Sequence, residues 1–274
     1  MKNQILVALD GSRAGGHVAD WAAARADSMG SGLVLVHVVP GEWLYPEERD
    51  RQLAQRRGDD LLESEAARLT SAFPRLSVVH RRLSGEPAET IAALSADYEL
   101  VVVGTDRGPG TEGQGYGSVS FQVAVTGKGN VAVVPADHPQ GRSGVVVGVD
   151  GSAESLSAVE FGASEAARLG QELILVHATG PDAASSVDAD VLRASAQHAG
   201  RQFPDIIVKE SSDAGKGPGD ALVDAARHAQ VLVMGRKGRG GLRVLLGSVA
   251  QHVLLHVQCP TILTRPGEKG PDGS

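Results

Sequence analysis

Apolar residues in this chain fall into two patterns that take turns. Runs such as Leu33-Val34-Leu35-Val36 and Leu173-Ile174-Leu175-Val176 are apolar at every position, as in strands covered on both faces. Between such runs lie longer stretches with helical spacing. The pattern predicts strands near 4–9, 33–38, 76–81, 100–104 and 131–134, with helices near 14–29, 48–71, 87–97 and 118–126. A second series follows, with strands near 145–149, 172–177, 205–209, 231–235 and 261–264, and helices near 153–169, 186–202, 218–229 and 248–257. Strand and helix in alternation define βαβ units, so the fold class is α/β, with parallel sheets flanked by helices on both faces. The helix near 48–71, rich in Arg, Asp and Glu, is expected to be a solvated face.

The second series repeats the first. Val7-Ala8-Leu9-Asp10-Gly11-Ser12 returns as Val147-Gly148-Val149-Asp150-Gly151-Ser152, and His37, closing the second strand, returns as His177 at the same offset of 140 (150 − 10 and 177 − 37). Gly117-Ser118-Val119 returns as Gly247-Ser248-Val249 at an offset of 130 (247 − 117), so the second copy is shorter in its middle. A repeat of this length is a whole domain rather than a solenoid unit. We expect one domain over 1–136, a linker over 137–144, a second domain over 145–266 and a disordered tail over 267–274.

Composition narrows the function. Aromatics are only 3% of the 274 residues, which leaves the cores to Val, Leu, Ile and Ala. A net charge of −7 argues against a general binder of nucleic acid or of anionic membranes, since both need a positive face. The single cysteine, Cys259, cannot form an internal disulfide, and neither a leader-like segment nor a long apolar span appears, so the cytoplasm is the expected compartment.

Chemistry is expected beyond the carboxyl ends of the strands, where ligands of doubly wound sheets bind. Asp10 and Asp150 stand there. A carboxylate accepts hydrogen bonds from ribose hydroxyls or an adenine amino group and repels phosphates. The same Asp-Gly-Ser is also the sequence of a tight strand-to-helix turn, with Ser12 and Ser152 as helix caps. The second element is the stretch Gly235 to Ser248, which carries Arg236, Lys237, Arg239 and Arg243 without an acid. Its glycines let main-chain amides approach an anion, and a helix N-terminus at Ser248 adds unpaired N–H groups, so phosphate is the natural guest. The matching stretch, Gly104 to Ser118, has one cation, Arg107, against Asp106 and Glu112.

With these residues in place, the chain resembles a tandem universal stress protein over nearly all its length. The resemblance implies two flavodoxin-like domains, each a five-stranded parallel sheet in the order 3-2-1-4-5, and an ATP-binding signature G-x2-G-x9-G-[S/T] preceded by an Asp after the first strand. By that resemblance, Asp150 and Gly151 with the backbone of Ala178 meet the adenosine end. Gly235, Arg236, Gly238 and Arg239 line the ribose and phosphates, and Gly247, Ser248 and Val249 hold the outer phosphates. In the first copy Asp10, Gly11, Val38, Gly104, Arg107, Gly108, Gly117 and Ser118 take these places. The second copy departs by reading G-x2-G-x8-G-S. The first has Arg107 where the second glycine belongs, unless Gly108 takes that role with eight residues before Gly117.

The expected function is that of a cytoplasmic stress-response protein that binds ATP, with Mg²⁺ left open, and acts as a nucleotide-dependent regulator or sensor. The alternatives are an ATP-independent interaction module and a weak ATPase. The fifth strands of the family pair across a twofold axis, which implies an intrachain pseudo-dimer and a homodimer of the whole chain. Other signals are discounted. Gly127-Lys128 and Gly215-Lys216 are each followed by Gly, so neither is a P-loop. His252, His256 and Cys259 are spaced like metal ligands, but their apolar surroundings read as a packed helix end. His37 and His177 are read as structural, and no catalytic triad can be assembled.

Overall fold

The computed structural model describes residues 3–12, 14–41, 43–105, 119–136, 141–180, 186–238 and 246–266. The chain divides into two compact units, Met1–His138 and Pro139–Ser274. The first contains β1 (Gln4–Ala8), α1 (Ala14–Met29), β2 (Gly32–Val39), α2 (Glu48–Ala72), β3 (Val78–Ser84), α3 (Pro87–Leu94), β4 (Leu100–Thr105), α4 (Val119–Thr126) and β5 (Val131–Pro135). The second contains β6 (Val145–Gly148), α5 (Ala153–Leu169), β7 (Leu173–Ala178), α6 (Ser186–Gln202), β8 (Val208–Asp213), α7 (Pro218–Ala226), β9 (Val231–Gly235), α8 (Ser248–Leu255) and β10 (Thr261–Thr264).

Within the first unit β1 pairs in parallel with β2 and β4, β2 with β3, and β4 with β5. Within the second, β6 pairs with β7 and β9, β7 with β8, and β9 with β10, all parallel. Counted from its own first strand, each unit has the order 3-2-1-4-5 that the resemblance implied. The central strands form the core because both faces are covered. Ile5, Leu6, Val7, Leu33, Leu35, Leu100, Val101 and Val102 have no exposed surface, and neither do Val145, Val147, Leu173, Leu175, Leu232 and Val233.

The third strands differ from the sequence reading. They start two or three residues later than expected, at Val78 and Val208, and are mostly exposed. Each sits at the edge of its unit's order with one neighbour, so His80 and Arg81, like Lys209 and Glu210, face solvent, Arg82 pairs with Asp59 of α2 at 2.8 Å, and these charges blur the apolar signal. Helix α2 is long and solvated, as expected, with only Gly58, Leu62 and Leu69 buried.

In both units the order reverses beside the first strand. Ala8 is level with Val36 of β2 and Val103 of β4, so Asp10, Val38 and Gly104 emerge together at the carboxyl ends. The second unit repeats the register, with Val147 level with Leu175 and Val233, bringing Asp150, Ala178 and Gly235 to one end.

Candidate functional site

Asp150 follows β6 in a turn that its own side chain closes. Oδ1 accepts from the Ser152 amide at 2.9 Å, and Asp10 does the same with Ser12 at 2.9 Å. Gly151 and Gly11 adopt φ of 77° and 80°, a left-handed conformation that other residues reach only at a cost. Ser152 then caps α5, its hydroxyl oxygen accepting from the Ser155 amide at 3.1 Å. The turn reading of Asp-Gly-Ser is met in both units, and the cap reading at Ser152, with the turn bond made by Oδ1. Oδ2 of Asp150 looks toward the glycine-rich segment, where a Cβ built on Gly238 would stand 2.5 Å from it.

His177 and His37 hold the same corner in the two units. Nδ1 of His177 lies 2.6 Å from the carbonyl oxygen of Val149, and that of His37 lies 2.7 Å from that of Leu9. A carbonyl only accepts, so Nδ1 carries the proton in each ring, and the imidazole ties the end of the second strand to the residue just before the aspartate. This is the structural role read from the sequence.

The glycine-rich segment of the second unit is closed at its stem. The Gly247 amide donates to the Arg236 carbonyl at 2.8 Å, which sets the start of α8 against the end of β9 although eight residues separate Gly238 from Gly247. Asp150, Ala178, Gly235, Arg236, Gly238, Gly247, Ser248 and Val249 thereby line one cavity of about 550 Å³. Gly151 shapes the turn without lining the cavity, and Arg239 lies outside the described residues. Val176, Pro218, Leu222, Met234 and Leu246 supply apolar walls that no sequence motif singled out.

Two charged residues near the stem change its electrostatics. Arg236 lines the cavity but is only 1% exposed, and burial, with the like charge of Arg265, pulls its pKa down to about 10, partly opposed by Glu154. It stays protonated at neutral pH. Glu154, in the first turn of α5, accepts from the Lys237 amide through Oε2 at 2.6 Å. The sequence stretch 235–248 has no acid, yet folding brings this one to it. Its one sequence signal is its place two residues after a capping serine.

In the first unit Asp10, Val38 and Gly104 line a second cavity, of about 730 Å³. Gly11 shapes its turn, whereas Arg107, Gly108, Gly117 and Ser118 lie outside the described residues. Leu44, Tyr45 and the α2 residues Asp50, Leu53, Ala54 and Arg57 complete a different wall. Helix α2 has 25 residues against 17 for α6, and most of these wall residues fall in the additional N-terminal turns. Their spacing of i, i+3, i+4 and i+7 is a single helix face, a signal present in the sequence.

The discounted motifs are built into the framework. Ser95 Oγ accepts from the Lys128 and Gly129 amides at 2.6 and 3.1 Å, and Asp213 Oδ1 accepts from those of Gly215 and Lys216 at 2.9 and 3.0 Å, so both Gly-Lys segments are turns. His256 Nδ1 meets the His252 carbonyl at 2.9 Å, and Cys259 is fully buried. Among the described residues no group of three His, Cys, Asp or Glu is arranged for a metal ion, and no helix is long and apolar enough to cross a membrane.

A parallel sheet of this order, twice over, each with an aspartate at its mouth and the second with a closed glycine-rich stem, defines a class of tandem α/β domains. This chain belongs to the universal stress protein family, which matches residues 1–135 and 142–265. It is 32% identical to universal stress protein Rv2005c of Mycobacterium tuberculosis over 95% of this chain and 96% of that one. It is 31% identical to universal stress protein Rv1996 of the same organism, over 95% and 94%. Among solved structures, a universal stress protein from Archaeoglobus fulgidus superposes with a TM-score of 0.79 at 20% identity, covering 98% of both chains, a likeness of fold.

Proposed function

We propose that this chain is a non-enzymatic adenine-nucleotide binder that takes ATP at the Asp150 cavity and reports or regulates a stress or energy state through its occupancy. The observation that carries the reading is a single cavity joining the Asp150 carboxylate, apolar walls and the stem at the start of α8. The nucleoside lies against Ala178, Leu222 and Met234 with its ribose hydroxyls donating to Asp150. The phosphates run along Gly235 to Gly238 toward Ser248, where main-chain amides and a helix N-terminus favour negative charge. Hydrolysis has no place in this reading: among the described lining residues Asp150 is the one carboxylate, and the reading commits it to the Ser152 amide and the ribose hydroxyls. In this reading the protein works as a cytoplasmic homodimer.

Loop charge ranks the two cavities. Residues 235–248 carry four cations and no acid, whereas 104–118 carry one cation and two acids, and on the first cavity's wall Asp50 is offset by Arg57. A triphosphate therefore prefers the second unit. Calorimetric titration of ATP onto Asp150→Ala, with Asp150→Asn to keep the turn, is expected to show affinity falling by about tenfold to a hundredfold, while Asp10→Ala changes it little. A greater loss in the Asp10 variant would overturn the ranking, and full affinity in both Asp150 variants would overturn the site.

A further inference from the structure

The loop stem presents a main-chain amide, Lys237 N–H, beside the proposed phosphate path, and a carboxylate of the same chain already holds it at 2.6 Å. We propose that Glu154 is a built-in rival of phosphate: its carboxylate and a phosphate oxygen compete for the Lys237 amide, so this side chain sets how tightly the second cavity holds anionic groups. The inference rests on the nucleotide reading above and adds a specificity-determining residue to it.

Three observations separate competition from scaffolding. The stem is closed by Gly247 N–H on the Arg236 carbonyl, a bond to which the Glu154 side chain contributes nothing. The start of α5 is seated by its backbone, since a Cβ on Gly235 would lie 3.0 Å from the Glu154 carbonyl carbon, so contact persists whatever side chain position 154 carries. The first unit has Ala14 at the corresponding position, 140 residues earlier, after the same Asp-Gly-Ser turn, so that turn does not require a glutamate. Only the charge and its acceptor atoms remain as the contribution of the side chain.

Electrostatics points the same way. Glu154 is the acid whose field supports protonation of buried Arg236, against burial and the like charge of Arg265. A phosphate arriving at the stem supplies the same negative charge, so the two anions exchange around one amide and one guanidinium. With Glu154 in place the incoming phosphate meets a half-buried carboxylate, and the repulsion grows with the charge of the ligand.

The test compares Glu154→Ala and Glu154→Gln with the unaltered chain, titrating ATP, adenosine and inorganic tripolyphosphate. We expect ATP and tripolyphosphate to bind about tenfold more tightly to both variants, with adenosine unchanged within about twofold. ATP affinity that stays equal or falls in both variants overturns the proposal, a fall marking Glu154 as a support of the loop. Tripolyphosphate that tightens while adenosine fails to bind the unaltered chain sustains the rivalry and removes the nucleoside half of the functional reading. Absence of any binding by all three probes overturns both. Position 154 is half-buried on a helix whose serine cap is retained, and equal melting temperatures of the three proteins check that the fold is kept.

Discussion

At the scale of single residues, the site depends on what is missing from Gly238. A methyl group there would lie 2.5 Å from Asp150 Oδ2, inside the contact distance of any carbon and oxygen, so either the carboxylate or the stem must move. Gly238→Ala is therefore expected to lower ATP affinity by about tenfold or more while leaving the melting temperature within a few degrees, as read by calorimetry and circular dichroism. Asp150 and Gly238 were legible in the sequence because each belongs to a repeated or spaced motif. Glu154 was not, because it is distant along the chain from the loop it touches and its counterpart in the first copy is Ala14.

At the scale of elements, α5 carries the aspartate turn into the protein. Ser152 caps it, and Gly170 ends it with φ 62°, its amide reaching the Ala166 and Ala167 carbonyls. Ser152→Ala is expected to cost about 1 kcal/mol, measured by urea denaturation. The central strands were legible because covered strands are apolar throughout, and helix α1 because its start and end fit the spacing. The edge strands were misplaced by two or three residues, since one-sided pairing lets charged side chains into them. The extra turns of α2 were read as solvated surface, which most of their positions are, and the stripe of Asp50, Leu53, Ala54 and Arg57 went unnoticed within it. A helical period identifies a face, and only the fold says what that face meets.

At the scale of the molecule, one thiol reports on integrity. Burial lifts the Cys259 pKa to about 12 from an ordinary value of 9.0. The native chain should resist iodoacetamide at pH 8, and labelling should begin with unfolding, as a mass-spectrometric time course in rising urea would show. The raised value also means that the stability contributed by the neutral thiol is full below about pH 9 and is lost as pH climbs toward about 12. The hydrogen bond from Gly247 to Arg236 has a broader consequence, because it pins both ends of the intervening stretch of chain to the framework. The length of that stretch can then change with little thermodynamic penalty, since closure entropy changes by only about 0.6 kcal/mol for each doubling of length. The eight residues between Gly238 and Gly247 therefore need no particular number for the stem to close, and this mouth can be recut for a new guest without disturbing the strands beneath.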